Sequence, residues 1–214
     1  MQPHQSTAQS ARAASASAVA AARARDYALL RGHKLYGPTG IGALWAKRVR
    51  LEAMPPWQSG GGMIETVAVE GTTFAPPPAR FGAGPRPRPE AVGLAAAIDF
   101  LVSFDCAVVA AHERALLARA IAGLAAIPGL RILGAPAERS AVVSFVVDGV
   151  HAHDLGTVLD QRGVAVRAGH HCTQPLHRRL GIAASVRASI ALHTTEEEID
   201  RLVSGVAAAV EMFA

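Results

Sequence analysis

Arg167-Ala168-Gly169-His170-His171-Cys172-Thr173-Gln174-Pro175 follows a short apolar run, Val164-Ala165-Val166, and precedes a helical-looking turn from Leu176 to Leu180. The sequence therefore sets a cysteine in a Gly/Pro-bounded loop between an extended run and a helix start, with Arg167, His170 and His171 beside it. Cationic neighbours favour the thiolate, which is the nucleophilic form of cysteine. Two other readings stay open on these residues alone. A lone cysteine also serves as a small buried hydrophobe. His151, His153, His170, His171 and Cys172 are all zinc-ligand types, but their spacing matches no common zinc pattern, so a nucleophile is preferred and no metal is expected.

Working outward, Ala141 to Val147 reads as a buried strand. Asp154 is read as the N-cap of a helix carrying Leu155, Val158 and Leu159, with Gly163 as its stop. Ser185 to Leu192 alternates as a strand. Thr195-Glu196-Glu197-Glu198 is a capping box opening a last helix, with Ile199, Leu202, Val203, Val206 and Val210 inward. The order strand, helix, strand, short helix, strand, helix predicts a compact α/β unit with helices packed on a small sheet.

The 214 residues suffice for one or two domains with a real core, and 50% hydrophobic against 18% charged residues is a globular composition. Two cysteines, Cys106 and Cys172, cannot build a disulfide framework, which points to a reducing compartment and a cytoplasmic protein. A net charge of +4 admits nucleic acid, but the arginines are scattered and aromatics are only 5%, which suits base stacking poorly. No apolar run approaches the roughly 20 residues of a membrane span. A basic balance also suits anionic small molecules, so charge alone decides little.

Upstream, Met1 to Arg25 is rich in Ala, Ser, Gln and Arg, lacks the apolar core of a secretory signal, and is expected to be poorly ordered. Gly32-His33-Lys34-Leu35-Tyr36-Gly37-Pro38-Thr39-Gly40-Ile41-Gly42 is a glycine-rich loop running into a strand at Ala43 to Lys47. Met54 to Met63 is dense in Pro and Gly and reads as an ordered loop anchored by Trp57. Gly71 to Arg88 is irregular and proline-rich. Leu94, Ile98, Leu101 and Val102 share one helical face, as do Leu117, Ile121 and Leu124, and Pro128-Gly129 ends the second helix. No internal repeat is visible. Alone, Lys34 reads as a solvated loop lysine and Arg187 as a strand-edge surface arginine; a lysine held near other cations can also form a Schiff base with an aldehyde.

Taken together, the Lys34 and Cys172 loops closely resemble the lysine loop and catalytic-cysteine loop of the Suf-type cysteine desulfurases, in the class V aminotransferase family. Met54-Pro55-Pro56-Trp57, Met63-Ile64-Glu65-Thr66-Val67, Glu70-Gly71-Thr72-Thr73-Phe74 and Ser185-Val186-Arg187-Ala188-Ser189 match in the same order. The resemblance runs from about Asp26 to the C-terminus and covers roughly the back half of a family chain. It implies part of the pyridoxal-phosphate-dependent fold type I. Residues 26–103 would be a remnant of the large cofactor-binding domain, and 104–214 a complete small α/β domain, after the N-terminal segment 1–25. The remnant would expose apolar surface that missing strands normally cover.

The resemblance also implies roles. Lys34 would carry pyridoxal 5'-phosphate and move protons at the substrate Cα and the alanine product, and His33 would help hold the phosphate. Cys172 would take sulfur from L-cysteine as a persulfide. Arg187 would clamp the substrate carboxylate, and Arg167 and His170 would sit beside Cys172 and tune its chemistry, with His171 structural. Partners would be a Suf-type sulfur-acceptor protein serving iron–sulfur cluster assembly and a second copy in a homodimer. Alternatives are an inactive fragment, a cofactor-free sulfur-relay module, or a selenocysteine lyase. The sequence departs from the family pattern in several places. The ring-stacking histidine has no counterpart, and the aspartate that pairs with the pyridine nitrogen would fall at Ser6. Arg31 replaces a phosphate-contacting serine, Gly82 a glutamate, and Pro85 a threonine that reaches the partner subunit. Proline there has neither hydroxyl nor backbone donor.

Overall fold

The computed structural model describes residues 26–137 and 139–213, so the readings made for Met1 to Arg25 and Ser6 lie outside the described residues. The chain divides into two units at Cys106/Ala107.

In the first unit, β1 (Tyr27–Arg31) and β2 (Gly42–Ala46) form an antiparallel hairpin that pairs Arg31 with Gly42 and Tyr27 with Ala46. Its ten-residue connection opens with a 3-10 turn, Gly32–Lys34, pinned by Leu35 N and Gly37 N donating to Gly32 O at 2.9 and 3.0 Å. Gly32 must be glycine: a Cβ there would lie 2.8 Å from both Ile41 Cγ2 and Pro38 O. The helix α1 (Arg48–Ala53) follows, then a second hairpin of β3 (Ile64–Ala68) and β4 (Gly71–Phe74), and α2 (Arg88–Val102). Asp26 joins β1 to the start of α1 through Lys47 at 2.9 Å and Arg50 at 2.8 Å; these two cations hold its carboxyl below the usual carboxylate range.

This unit leaves much apolar surface in water, as the family resemblance implies. Leu29 is 69% exposed and Val67 66%. Ala97 is buried on α2, while Ile98 and Val102 are exposed, so the expected inner face of that helix is largely solvated. Trp57 does not anchor its loop as expected: it is 94% exposed, and the ordering comes from backbone bonds, including Gly84 N to Gly61 O at 3.0 Å.

The second unit holds the main core. A four-stranded sheet has the order β5 (Leu130–Ile132), β6 (Val142–Val147), β8 (Ser185–Ser189), β7 (Arg167–Gly169), all neighbours antiparallel. Three helices flank these strands in sequence: α3 (Cys106–Ala125), α4 (Ala152–Gln161) and α6 (Glu196–Phe213). Val143, Phe145, Val186 and Ala188 alternate inward from β6 and β8, and meet Leu117 and Leu124 of α3, Leu155 and Leu159 of α4, and Ile199, Leu202 and Val206 of α6. Strand periodicity of two and helical periodicity of 3.6 thus converge on one core. Arg119 of α3 clasps Asp200 of α6 in a bidentate pair, both bonds 2.8 Å, which holds the Asp200 carboxyl down.

The capping box forms as read: Thr195 N donates to Glu198 Oε2 at 2.9 Å and Glu198 N to Thr195 Oγ1 at 3.3 Å. The other helix start is displaced. The N-cap of α4 is His151, whose Nδ1 accepts from His153 N at 3.4 Å, and Asp154 stands in the first turn, where its charge suits the helix dipole. Val164 and Val166 face the core as a strand would, but the ladder starts only at Arg167, because β8 supplies partners from there onward. The extended run ending this region is likewise shorter than read, stopping at Ser189.

Among the described residues no single helix is long and apolar enough to cross a membrane.

Phe145 is fully buried and Trp57 almost fully exposed. Phe145→Ala is expected to cost about 3–5 kcal/mol and Trp57→Ala less than about 0.5 kcal/mol. Urea unfolding followed by far-UV circular dichroism measures both.

Candidate active site

The register of β7 on β8 builds the site. Gly169 pairs with Ser185, Ala168 with Val186 and Arg167 with Arg187. Because Val186 and Ala188 point into the core, Ser185 and Arg187 lie on the opposite face, and Arg167 stands directly across from Arg187 on that face. Like charges opposite one another on neighbouring strands repel, so this pairing costs stability unless an anion lies between them. Arg187 is half-buried, and its Nε is fully buried with no hydrogen-bond partner. A guanidinium donor held dry and unused is rare in a protein interior, and its chemistry calls for a carboxylate or another planar anion.

The chain leaves β7 into a turn where two consecutive residues, His171 (φ 52°) and Cys172 (φ 61°), take the left-handed conformation. Non-glycine residues pay about 1–3 kcal/mol each for such a conformation and keep it only where their surroundings fix it. Thr173 N donates to His170 O at 2.8 Å, and the Thr173 hydroxyl donates to the same carbonyl at 2.8 Å, closing the turn. The short helix α5 (Gln174–Arg179) starts at once. Cys172 is a free, exposed thiol at the rim of an open concavity of about 410 Å³, lined among others by Arg167, His170, His171 and Gln174.

His171 is tied inward, its Nε2 lying 3.1 Å from both Ser185 O and Ser185 Oγ, while its Nδ1 is buried without a partner. Burial, first, lowers its pKa below the ordinary 6.5; Arg187, His177 and Arg167 lower it further, and the bond to Ser185 opposes them. These contacts tie the His171 side chain to the start of β8. Among the described residues no group of three or more His, Cys, Asp or Glu is disposed to hold a metal ion.

Lys34 and His33 lie in the first unit, in the 3-10 turn after β1, both exposed. His33 and Arg31 line an open concavity of about 550 Å³ whose lining residues include no carboxylate. Lys34 follows His33 in the same turn and presents an exposed primary amine.

A family model described as Aminotransferase class-V matches residues 15–202. The chain belongs to the class-V aminotransferase family. A probable cysteine desulfurase 2 of Mycobacterium leprae is 54% identical over 190 residues, covering 88% of this chain and 46% of that protein. The crystal structure of the cysteine desulfurase CsdA (S-sulfonic acid) from Escherichia coli superposes with a TM-score of 0.82 at 39% identity, over 88% of this chain and 47% of that one. The apo cysteine desulfurase of Thermococcus onnurineus NA1 gives 0.80 at 34% identity, over 87% and 47%. The chain thus spans just under half the length of these relatives, and its α/β architecture is part of the type I fold of pyridoxal-phosphate-dependent transferases.

Sequence reading singled out the Lys34 and Cys172 loops but passed over two buried residues bonded to His171 or to each other beside the second, on α5 and β8. His177, a third histidine five residues beyond Cys172, is 4% exposed, and Ser185, quoted only as part of a matching segment, is 1% exposed. Both are held in one hydrogen-bonded chain with His171. The available signal was a histidine on the same short helix that the loop enters, at a position where the helix must face the sheet.

The depressed His171 value carries a pH signature. The unfolded chain takes up a proton near pH 6.5 and the folded chain only below it, so stability rises with pH across that interval and falls as pH drops through it. The stability lost between pH 7 and pH 5 is expected to be smaller in His171→Gln than in the native chain, measured by urea midpoints at each pH.

Proposed function

We propose that this chain is a cysteine desulfurase-like protein that converts L-cysteine to L-alanine and stores the sulfur as a persulfide on Cys172. The observation that carries the reading is the Arg167–Arg187 cross-strand pair, with its buried unpartnered Nε, on the strands that deliver the exposed Cys172 thiol. An amino-acid carboxylate is the anion that such a pair fits, and the thiol stands close to it in the fold.

Lys34 and His33 would hold pyridoxal 5'-phosphate, the amine at its aldehyde and the imidazole toward its phosphate, with Arg31 on the same hollow as His33. When bound, the group supplies an electron sink for the carbanion at the substrate Cα. Lys34 Nζ removes the proton from the substrate Cα and later returns one to the alanine carbon. Arg187, assisted by Arg167, orients the substrate through its carboxylate, for which a planar guanidinium is better shaped than an ammonium. Cys172 Sγ attacks the substrate sulfur; the S–S bond forms as the Cβ–S bond breaks, and the released electron pair takes up a proton to give alanine. His170, at the edge of the same concavity, would tune the thiol for that attack. The persulfide would pass in the cytoplasm to a Suf-type acceptor serving iron–sulfur assembly, from a homodimer as in the intact family. Residues 26–103 are read as part of the large domain and 104–214 as the small one.

A second reading rests on where the core lies. The main hydrophobic cluster falls within the second unit, which also holds Cys172, so that unit suits a cofactor-free sulfur relay. Selenocysteine lyase chemistry would use the same residues, but the Cys172 loop favours sulfur transfer.

The purified chain mixed with pyridoxal 5'-phosphate is expected to gain a visible absorption band that Lys34→Ala abolishes; a colourless native protein overturns the desulfurase reading. In an active preparation, Arg187→Ala should lower kcat/KM for L-cysteine roughly 10- to 150-fold, the worth of a charged hydrogen bond. For the relay reading, Cys106→Ser protein incubated with a competent desulfurase and L-cysteine should carry a persulfide at Cys172, and an unlabelled Cys172 refutes it.

A further inference from the structure

His177 is one of the two buried polar residues among those described, and nothing in the proposed chemistry uses it. A buried imidazole needs partners on both nitrogens, and here the partners determine which nitrogen carries the proton. Nδ1 lies 3.1 Å from Thr173 O, and a carbonyl oxygen only accepts, so Nδ1 is the protonated donor. In the neutral ring Nε2 is then an acceptor, and it takes the hydroxyl proton of Ser185, whose Oγ is 2.9 Å away. Having donated that proton, Ser185 Oγ has only lone pairs left for His171 Nε2 at 3.1 Å, as does Ser185 O at the same distance. His171 must therefore carry its proton on Nε2, which leaves its buried Nδ1 as a bare lone pair. That is the atom found without a partner. Every hydrogen bond in the series runs the same way, from His171 through Ser185 and His177 to the Thr173 carbonyl.

The series starts and ends on the two residues that flank Cys172 in sequence. His171 and Cys172 hold the left-handed backbone that needs outside support, and the side chain of His171 and the carbonyl of Thr173 fasten it beside the Thr173 bonds to His170 O. The rings of His170 and His177 also meet edge to face at 5.6 Å, which brings a third residue of the turn under the same control.

We propose that His177 is a positioning residue: by taking the Ser185 hydroxyl proton it makes Ser185 Oγ a second acceptor, beside Ser185 O, for His171 Nε2–H, and thereby clamps the turn that presents Cys172. The proposal deepens the desulfurase reading of this site and rests on it for its purpose. Its test needs neither cofactor nor turnover, so the two can fail separately.

The test combines nitrogen-15 imidazole spectra of the full chain with peptide-resolved alkylation by iodoacetamide, using the exposed Cys106 as internal reference. His171→Gln assigns the His171 signals. In the native chain His171 should show a single Nε2–H tautomer near pH 7.5. His177→Leu, which fills the space without hydrogen bonding, should shift the His171 Nε2 resonance, as the Ser185 hydroxyl is no longer held as an acceptor, and change the Cys172-to-Cys106 alkylation ratio at least threefold. His177→Gln, which keeps a donor and an acceptor, should restore the ratio to within twofold. Ser185→Ala removes the hydroxyl while retaining His177 and the backbone carbonyl at 185, and should shift the His171 Nε2 resonance and the alkylation ratio in the same direction even if His177→Leu folds poorly. A mixed His171 tautomer in the native chain overturns the proposal, as does an unchanged His171 Nε2 resonance and alkylation ratio in Ser185→Ala.

Discussion

The antiparallel register of β7 on β8 is the constraint from which the rest of the cysteine site follows. Side chains alternate along a strand, so a one-residue slip would exchange the core face for the site face. Val186 and Ala188, both inside the core, forbid that slip. With the register locked, Arg167 has to face Arg187 and Gly169 has to face Ser185. The hydrophobic demand of the core therefore assigns the polar residues their places. Gly169, at φ 124°, releases the chain from the ladder in a conformation other residues rarely take, and the turn bearing Cys172 begins there.

The two units differ in how they meet the cost of order. In the second, strands from one sheet and three helices close over Phe145 and Leu124, leaving both fully buried. In the first, the sheets are separate two-stranded hairpins, a form that is marginal in water without further cover. Leu29, Leu30, Leu44 and Trp45 on the first hairpin are all exposed, so its apolar residues contribute little to holding it. Local restraints carry more of the load there, such as the Asp26 ion pairs and the glycine-dependent turn before Lys34.

What was legible in the sequence tracks how local its cause is. The capping box before α6 was readable because Thr195 and Glu198 satisfy each other within one turn. Gly163 stopped α4 as read, since a left-handed residue after a helix is a backbone matter. Asp154 misled because aspartate is a good cap in isolation, yet the helix began earlier, at His151. The limits of β7 depended on β8, eighteen residues further on, which no local pattern records. Trp57 misled for the opposite reason: an aromatic in a Pro/Gly loop implies an anchor only where the unit has a core to receive it. Of the site, the reactive-looking residues were visible by type, whereas the Arg167–Arg187 opposition and the inward ties of His177 and Ser185 required the fold.

The electrostatics of the second unit follow from that opposition. Two guanidinium groups on one sheet face make a positive field that a carboxylate would relieve and that a further proton would worsen. Burial first, and then the same field, lower the His171 pKa and favour the neutral imidazole. A neutral His171 is what its contacts require, because Ser185 offers acceptors to Nε2 and the buried Nδ1 has no acceptor to meet a second proton. Protonating that nitrogen would bury an unpaired N–H beside two like charges, and each part of that penalty opposes it. The field that invites an anion to the arginines and the one-way hydrogen bonds beneath Cys172 are thus not separate designs: the first joins burial in keeping His171 in the charge state on which the second depends.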